Sequence, residues 1–204
     1  MLKEPIVTPI FPTPVYIAEM GRDFSTKEIS YILAENKEIQ INVGNKTSKE
    51  RHVLDTEDLI DLKLLCEDHL KNYIFEVLKS QKTFDPIITQ SWINYTEPKS
   101  FHHEHTHPNS FLSGVIYFQT NQDDCIQFHA PDIFPLSLPF KEFTTFNSSI
   151  WNIPVKNTTI ILFPSTLRHS VPYVTGNKTR ISLSFNTFIK GSIGSKETST
   201  ELII

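Results

Sequence analysis

The sequence predicts a mainly β fold: a jelly-roll, or double-stranded β-helix of cupin-like type, with helices packed on one sheet. Three observations predict it. From about residue 87 onward, short runs rich in β-branched and aromatic residues follow one another closely, divided by turn residues. Upstream, apolar residues recur at helical spacing in two stretches. The chain has 204 residues, and its 39% apolar content, with 15 Phe and 6 Tyr, is enough to fill one core.

Residues 6–18 read as an extended piece broken by prolines, hence an edge strand. Ser25 followed by Glu28 has the form of a capping box, and Ile29, Ile32 and Leu33 continue at helical spacing, predicting a helix over about 26–37. Residues 38–53 are mostly polar, with Asn42, Gly44 and Asn45 as turn signals. Asp55 or Thr56 then caps the stronger helix, about 57–80. There Leu59, Leu62, Cys66, Leu70, Tyr73 and Val77 line one side, and acids gather in the first turns, where the helix dipole favours them. Its expected task is to cover one face of a sheet. Strands are expected at 87–95, 111–119, 125–129, 143–152, 158–163, 170–174 and 180–189. The organisation expected is a single domain over 1–190, its helical part (about 20–80) packed on a jelly-roll of about 87–190. A small, polar tail over 191–204 is expected to be poorly ordered unless its last residues dock.

Composition excludes several classes. The net charge of −4 and the lack of any Lys/Arg-rich run argue against a nucleic-acid partner. No apolar run approaches the ~18–20 residues of a membrane span. The N-terminal stretch, with an acid at position 4 and four prolines by position 14, is unlike a secretory leader. Cys66 and Cys125 form no CxxC pair and read as packed thiols of a reducing compartment. A soluble, cytoplasmic protein (host cytoplasm if phage-encoded) without membrane association is expected, and nothing in the sequence sets its oligomeric state.

The chemistry concentrates in two stretches. In 92–118, four of the eight histidines (His102, His103, His105 and His107) occupy six positions just before an apolar run. Neutral imidazole is the commonest side-chain metal ligand, and side chains two apart on extended backbone share a face, so His105 and His107 can reach one ion. In 161–186, His169 is followed eleven positions later by Arg180. Only four arginines stand against 15 lysines, and two of the four, Arg168 and Arg180, flank this region. The isolated His52, His69 and His129 read as ordinary core or surface residues. Parity leaves two ligand sets open. With the odd face inward, His105 and His107 join His169. With the even face inward, His102, Glu104 and His169 make a 2-His-1-carboxylate triad.

Five short patterns stand in order over residues 92–190. They are Trp92-x-Asn94; His105-x-His107-Pro108; Ser113-Gly114-x-x-Tyr117; Phe163-Pro164-Ser165 with His169; and Arg180-x-Ser182-x-Ser184-Phe185-Asn186. Together they resemble the non-haem iron, 2-oxoglutarate-dependent oxygenases, in particular a bacterial and phage branch with a His-x-His motif related to the prolyl 4-hydroxylases. The resemblance implies a register, because Tyr95 stands ten residues before His105 and Tyr117 lies in the following strand, as in prolyl hydroxylases. That register makes His105, His107 and His169 the metal-binding and catalytic set and leaves Glu104 outside. It also implies Fe(II), O2, 2-oxoglutarate as co-substrate and ascorbate as reductant. Arg180 would clamp the far carboxylate of 2-oxoglutarate, with Tyr117, Ser182 and Tyr95 completing the co-substrate site.

The activity implied is hydroxylation of a C–H bond, with a prolyl residue of a peptide or protein as the first expectation. The chain departs from prolyl hydroxylases at His107, where they carry Asp. Three neutral imidazoles leave the ion's charge uncompensated until a dianion arrives, and suit Zn, Cu or Ni as well as Fe. Two other readings compete. One is a cupin-like three-histidine metalloenzyme without 2-oxoglutarate. The other is a non-enzymatic jelly-roll binding module with a structural metal closed by His103 as fourth ligand.

Overall fold

The computed structural model describes residues 5–34, 37–131, 136 and 138–204, with both expected helices before residue 80 and a run of strands from Phe84 onward, while three short strands lie before and between the helices. Helix α1 (Thr26–Leu33) starts on the expected capping box: the Glu28 amide donates to Ser25 Oγ at 3.3 Å and the Ser25 amide to Glu28 Oε2 at 2.7 Å. It ends at Leu33, before the expected residue 37; residues 35 and 36 lie outside the described residues. The second helical stretch is composite. A 3₁₀ turn (Glu57–Leu59) leads into helix α2 (Ile60–Lys71), which closes in a π-helical end (Asn72–Val77). Thr56 takes the expected N-cap position, but neither its side chain nor that of Asp55 makes a capping hydrogen bond. Thr56 Oγ1 donates to the Val53 carbonyl at 2.8 Å, and Asp55 pairs with Lys63. The apolar side from Leu59 to Tyr73 is buried, whereas Val77 is 51% exposed because the wider π turn rotates it off that stripe.

Two antiparallel sheets follow. The large one runs β1 (Tyr16–Glu19), β9 (Thr159–Pro164), β6 (Leu112–Gln119), β11 (Arg180–Ile193), β4 (Phe84–Thr96), β3 (Lys46–Ser48) and β2 (Ile39–Ile41), with β12 (Leu202–Ile203) on the far end of β11. The small one runs β5 (His102–His105), β10 (His169–Val171), β7 (Cys125–His129) and β8 (Ile150–Pro154). Strand alternation gives the large sheet two apolar faces. Leu112, Ile116, Leu183 and Phe185 meet the helices, while Val115, Tyr117, Ile161 and Phe163 meet Ile126 and Phe128 of the small sheet. Gly114 is needed where Phe185 crosses β6, since a Cβ there would fall inside the Phe185 ring. This is the jelly-roll expected, with α2 covering its outer face.

The differences are local. Of residues 6–18 only 16–18 pair, in an edge strand that runs on to Glu19. The polar stretch 38–53 contains the hairpin β2–β3, which extends the large sheet beyond β4. The expected strand 143–152 is correct only from Ile150; before it the chain turns at Thr144, whose carbonyl accepts from the Asn147 and Ser148 amides. Strand β11 continues past Lys190 to Ile193, where Leu202 and Ile203 pair with it, so the last residues dock. Among the described residues no helix is long and apolar enough to cross a membrane.

Candidate metal centre

Strand β5 carries no apolar residue and is held as a strand by its neighbour β10. His169 pairs with His105 and Val171 with His102, so two steps of β10 face three of β5, a bulge. Simple alternation therefore fails, and both His102 and His105 line the cavity between the sheets. His107 follows on the next segment, its amide donating to the Ser165 carbonyl at 3.0 Å. The ring centroids of His105, His107 and His169 lie 4.3–5.1 Å apart, and one ring nitrogen from each falls within 4.8 Å of the others. That spacing suits one divalent ion.

Each of these rings has its Nδ1 turned to oxygen. His105 Nδ1 meets the His103 carbonyl at 2.7 Å and His169 Nδ1 the Leu167 carbonyl at 3.0 Å. His107 Nδ1 meets Asn186 Oδ1 at 2.6 Å and Ser113 Oγ at 3.0 Å, and Asn186 is itself held by Gln90. A carbonyl can only accept, so the hydrogen sits on Nδ1 and the lone pair on Nε2, the form a metal requires. Burial pushes the His105 imidazole down to about 4, and holds His107 and His169 below the ordinary imidazole range. All three are neutral at pH 7.

The other end of the cavity is cationic. Arg180 is 3% exposed and makes no ion pair among the described residues; its guanidinium lies 4.9 Å from the Tyr117 ring centroid. Arg180 Nε and Tyr117 Oη are buried without a hydrogen-bond partner, as is Oγ1 of Thr96, the residue paired with Arg180. Burial pushes the Tyr117 hydroxyl up to about 12, so it remains a neutral donor. No acidic residue lines the cavity among the described residues, and Ser182 and Ser184 line it beside Arg180. A buried cation without a partner is costly, so this end fits an anionic group.

Residues 90–186, a span just under half the chain, match the protein-family model described as "Putative 2OG-Fe(II) oxygenase". This part of the chain is similar in sequence to that family. No curated protein matches the sequence. Solved structures of the oxygenase fold do. One is a 2OG-Fe(II) oxygenase family oxidoreductase from Burkholderia pseudomallei, at 17% identity and TM-score 0.58, over 85% of this chain and 83% of that one. HygX from Streptomyces hygroscopicus, with nickel and 2-oxoglutarate bound, matches at 11% and 0.60, over 86% and 82%. A prolyl-4-hydroxylase from Pseudomonas putida matches at 14% and 0.52, over 85% and 92%. At these identities the likeness is one of fold.

The expected residues divide. His105, His107, His169, Tyr117, Arg180 and Ser182 share one cavity. Tyr95 does not reach it: on β4 it alternates with Asn94 and packs with Ile93 on the helix-covered face, which corrects its assignment to the co-substrate site. Glu104 is exposed and bonded to Arg168 at 2.9 Å and His129 at 3.2 Å, so the His102/Glu104/His169 set does not assemble. His103 groups with His102 and His105 and not with the other two rings. His69 binds Tyr16 and His129 binds Ser170, as ordinary packed histidines do. Sequence reasoning gave no role to Thr96, considered His102 only in the alternative triad, and used Asn186 and Trp92 only as motif positions; the Trp92 ring lies 5.5 Å from that of His107.

Proposed function

We propose that this chain is an Fe(II)- and 2-oxoglutarate-dependent oxygenase that hydroxylates a C–H bond, with His105, His107 and His169 as the metal ligands. The observation that carries this reading is the pairing, in one cavity, of three neutral imidazoles with an unpartnered buried arginine and tyrosine. A divalent ion on three neutral ligands brings +2 and Arg180 a further positive charge. A dianion with carboxylates at both ends, such as 2-oxoglutarate, would offset two of these three charges and reach both positive ends. When bound, iron with 2-oxoglutarate and O2 supplies the oxidising power, and 2-oxoglutarate leaves as succinate and CO2.

The protein's own contribution is placement. Arg180 would take the far carboxylate through its planar fork, which lysine does not provide. Tyr117 would add its O–H, and Thr96 and Ser182 stand close enough in the sheet to share the task. Phe128, Phe163 and Val115 close the cavity from within, excluding water and strengthening each polar contact. The hydrogens on the three Nδ1 atoms keep every Nε2 available to the ion.

The group hydroxylated, on this reading, is a prolyl residue of a peptide. Support comes from the prolyl-4-hydroxylase likeness and from the order of His105, Tyr117, His169 and Arg180. With Fe(II), ascorbate and O2, the protein should form succinate slowly alone and faster with a proline-containing peptide. Succinate formation insensitive to every prolyl peptide would remove the substrate assignment. No succinate at all, with iron demonstrably bound, would favour the three-histidine site without 2-oxoglutarate.

A further inference from the structure

Four buried side-chain atoms among the described residues have no hydrogen-bond partner: Asn45 Nδ2, Thr96 Oγ1, Tyr117 Oη and Arg180 Nε. Three of them stand at the cationic end of the cavity. The fourth joins them across the sheet. Strand β3 pairs with β4 at Thr47–Asn94 and Lys46–Tyr95, and one step further sets Asn45 against Thr96, which is itself paired with Arg180. Residues directly opposite share a sheet face, so Asn45, Thr96 and Arg180 make a row over three strands. Asn45 is 6% exposed. A buried amide hydrogen without an acceptor is destabilising, and so is each of the other three orphans. A ligand with several acceptors would relieve all of them.

The turn between β2 and β3 decides how Asn45 presents its amide. Asn42 Nδ2 carries two hydrogens; Asn45 Oδ1 lies 3.0 Å from it and His102 Nε2 3.1 Å. Asn45 therefore keeps its oxygen toward Asn42 and its Nδ2 free. The His102 ring accepts at Nε2, so it is neutral and carries its hydrogen on Nδ1. That nitrogen bonds to none of the described residues, and His102 lines the cavity with its ring stacked 4.4 Å from that of His105. The turn is docked on the start of β5. The Phe101 amide donates to the Gly44 carbonyl at 3.2 Å, and at Gly44 (φ +85°) a Cβ would meet the Phe101 carbonyl oxygen at 2.6 Å.

We propose that Asn45 and His102 are two further hydrogen-bond donors to the dianion, both set by Asn42. Asn45 serves the far carboxylate beside Arg180, and His102 the end nearest the metal, beside His105. The inference rests on the reading of 2-oxoglutarate as co-substrate. An ionised carboxylate only accepts, at about four lone-pair sites, so one such group has the capacity to satisfy Asn45, Thr96, Tyr117 and Arg180 together. Asn42 and Asn45 belong to the hairpin that extends the large sheet, outside the strands that carry the five sequence patterns. That gives the polar hairpin a task in recognition.

The test is anaerobic titration of the Fe(II)-loaded protein with 2-oxoglutarate, with iron content measured in each variant. Asn45→Ala should weaken 2-oxoglutarate binding by roughly tenfold or more, the loss of a hydrogen bond to a charged group, at unchanged iron content. Asn45→Asp keeps the oxygen that accepts from Asn42 but has no hydrogen to give, and its charge offers Arg180 a partner within the sheet. It should bind 2-oxoglutarate more weakly still, whereas a merely structural Asn45 would tolerate Asp without loss. Asn45→Asp decides alone should Asn45→Ala not fold. His102→Phe keeps a ring against His105 and removes the donor, and it too should lose affinity while holding iron; His102→Leu takes its place should that variant not fold. Unchanged 2-oxoglutarate affinity in an iron-loaded variant would overturn the role of the residue replaced. Absence of 2-oxoglutarate binding by the unaltered protein would overturn the co-substrate reading itself, and this inference with it.

Discussion

Asn186 aims His107, and it is the residue on which the inner set most depends for orientation. Its Oδ1 accepts the His107 Nδ1 hydrogen at 2.6 Å, while its own amide is fixed on Gln90. Asn186→Ala should therefore weaken metal binding by about 10–100-fold, measured by Co(II) titration, with the ligands themselves untouched. Unchanged affinity would show that the ring needs no such support. The sequence displays Asn186 at the end of the Arg-x-Ser-x-Ser-Phe-Asn run, but its bond to His107 spans 79 positions and is created by the sheet. Tyr95 teaches the opposite lesson. Alternation along β4 puts Trp92 and Asn94 on one face and Ile93 and Tyr95 on the other, so its absence from the cavity was legible locally. The motif spacing of a related family pointed elsewhere.

At the scale of elements, what could be read was what rests on contacts close in sequence. The Ser25–Glu28 box is one such case, and it carries a prediction. Burial pushes the Glu28 carboxyl up, but hydrogen bonds from Arg22 and the Ser25 amide outweigh it and hold the group below the usual carboxylate range. Arg22 Nη2 lies 2.6 Å from Glu28 Oε1, with the Arg22 side chain 35% exposed. Glu28→Gln should cost about 1–3 kcal/mol in urea unfolding, the loss of a capping carboxylate and of a half-screened pair. An unchanged midpoint would contradict that role. The β5 bulge lay beyond sequence reading, because a run of histidines has no apolar alternation to betray its register and its strand character comes from pairing with β10. Hairpin β2–β3 was missed for another reason: Ile39 and Ile41 alternate about Gln40, but both are exposed, and pairing with the edge of β4 makes the stretch a strand pair. Residues 143–149 failed in the other direction: Phe143 and Phe146 look like strand residues, yet both are exposed around a turn fixed by Thr144 and Asn147.

Across the whole molecule, the cavity between the sheets links burial, charge and pH. The folded metal-free chain holds His105 at about 4, whereas an unfolded chain carries imidazoles near about 6.5. Between those values the unfolded state binds protons that the folded state refuses, so stability is full above about 6.5 and falls as pH drops. His107 and His169, shifted the same way, add to the slope. Urea midpoints of the metal-free protein should accordingly fall from pH 7 to pH 5; a flat profile would mean these rings are not buried neutral. The central claim is that one cavity holds both an iron on three imidazoles and the far carboxylate of 2-oxoglutarate on Arg180. Anaerobic titration of the Fe(II)-loaded protein with 2-oxoglutarate, followed by the visible metal-to-ligand charge-transfer absorption, tests both ends at once. A saturable band is predicted for the unaltered protein. Arg180→Ala should need well over tenfold more 2-oxoglutarate, since losing a desolvated charge partner costs about 2–5 kcal/mol. Bound iron with no band at any 2-oxoglutarate concentration, or a band indifferent to Arg180→Ala, would contradict the account.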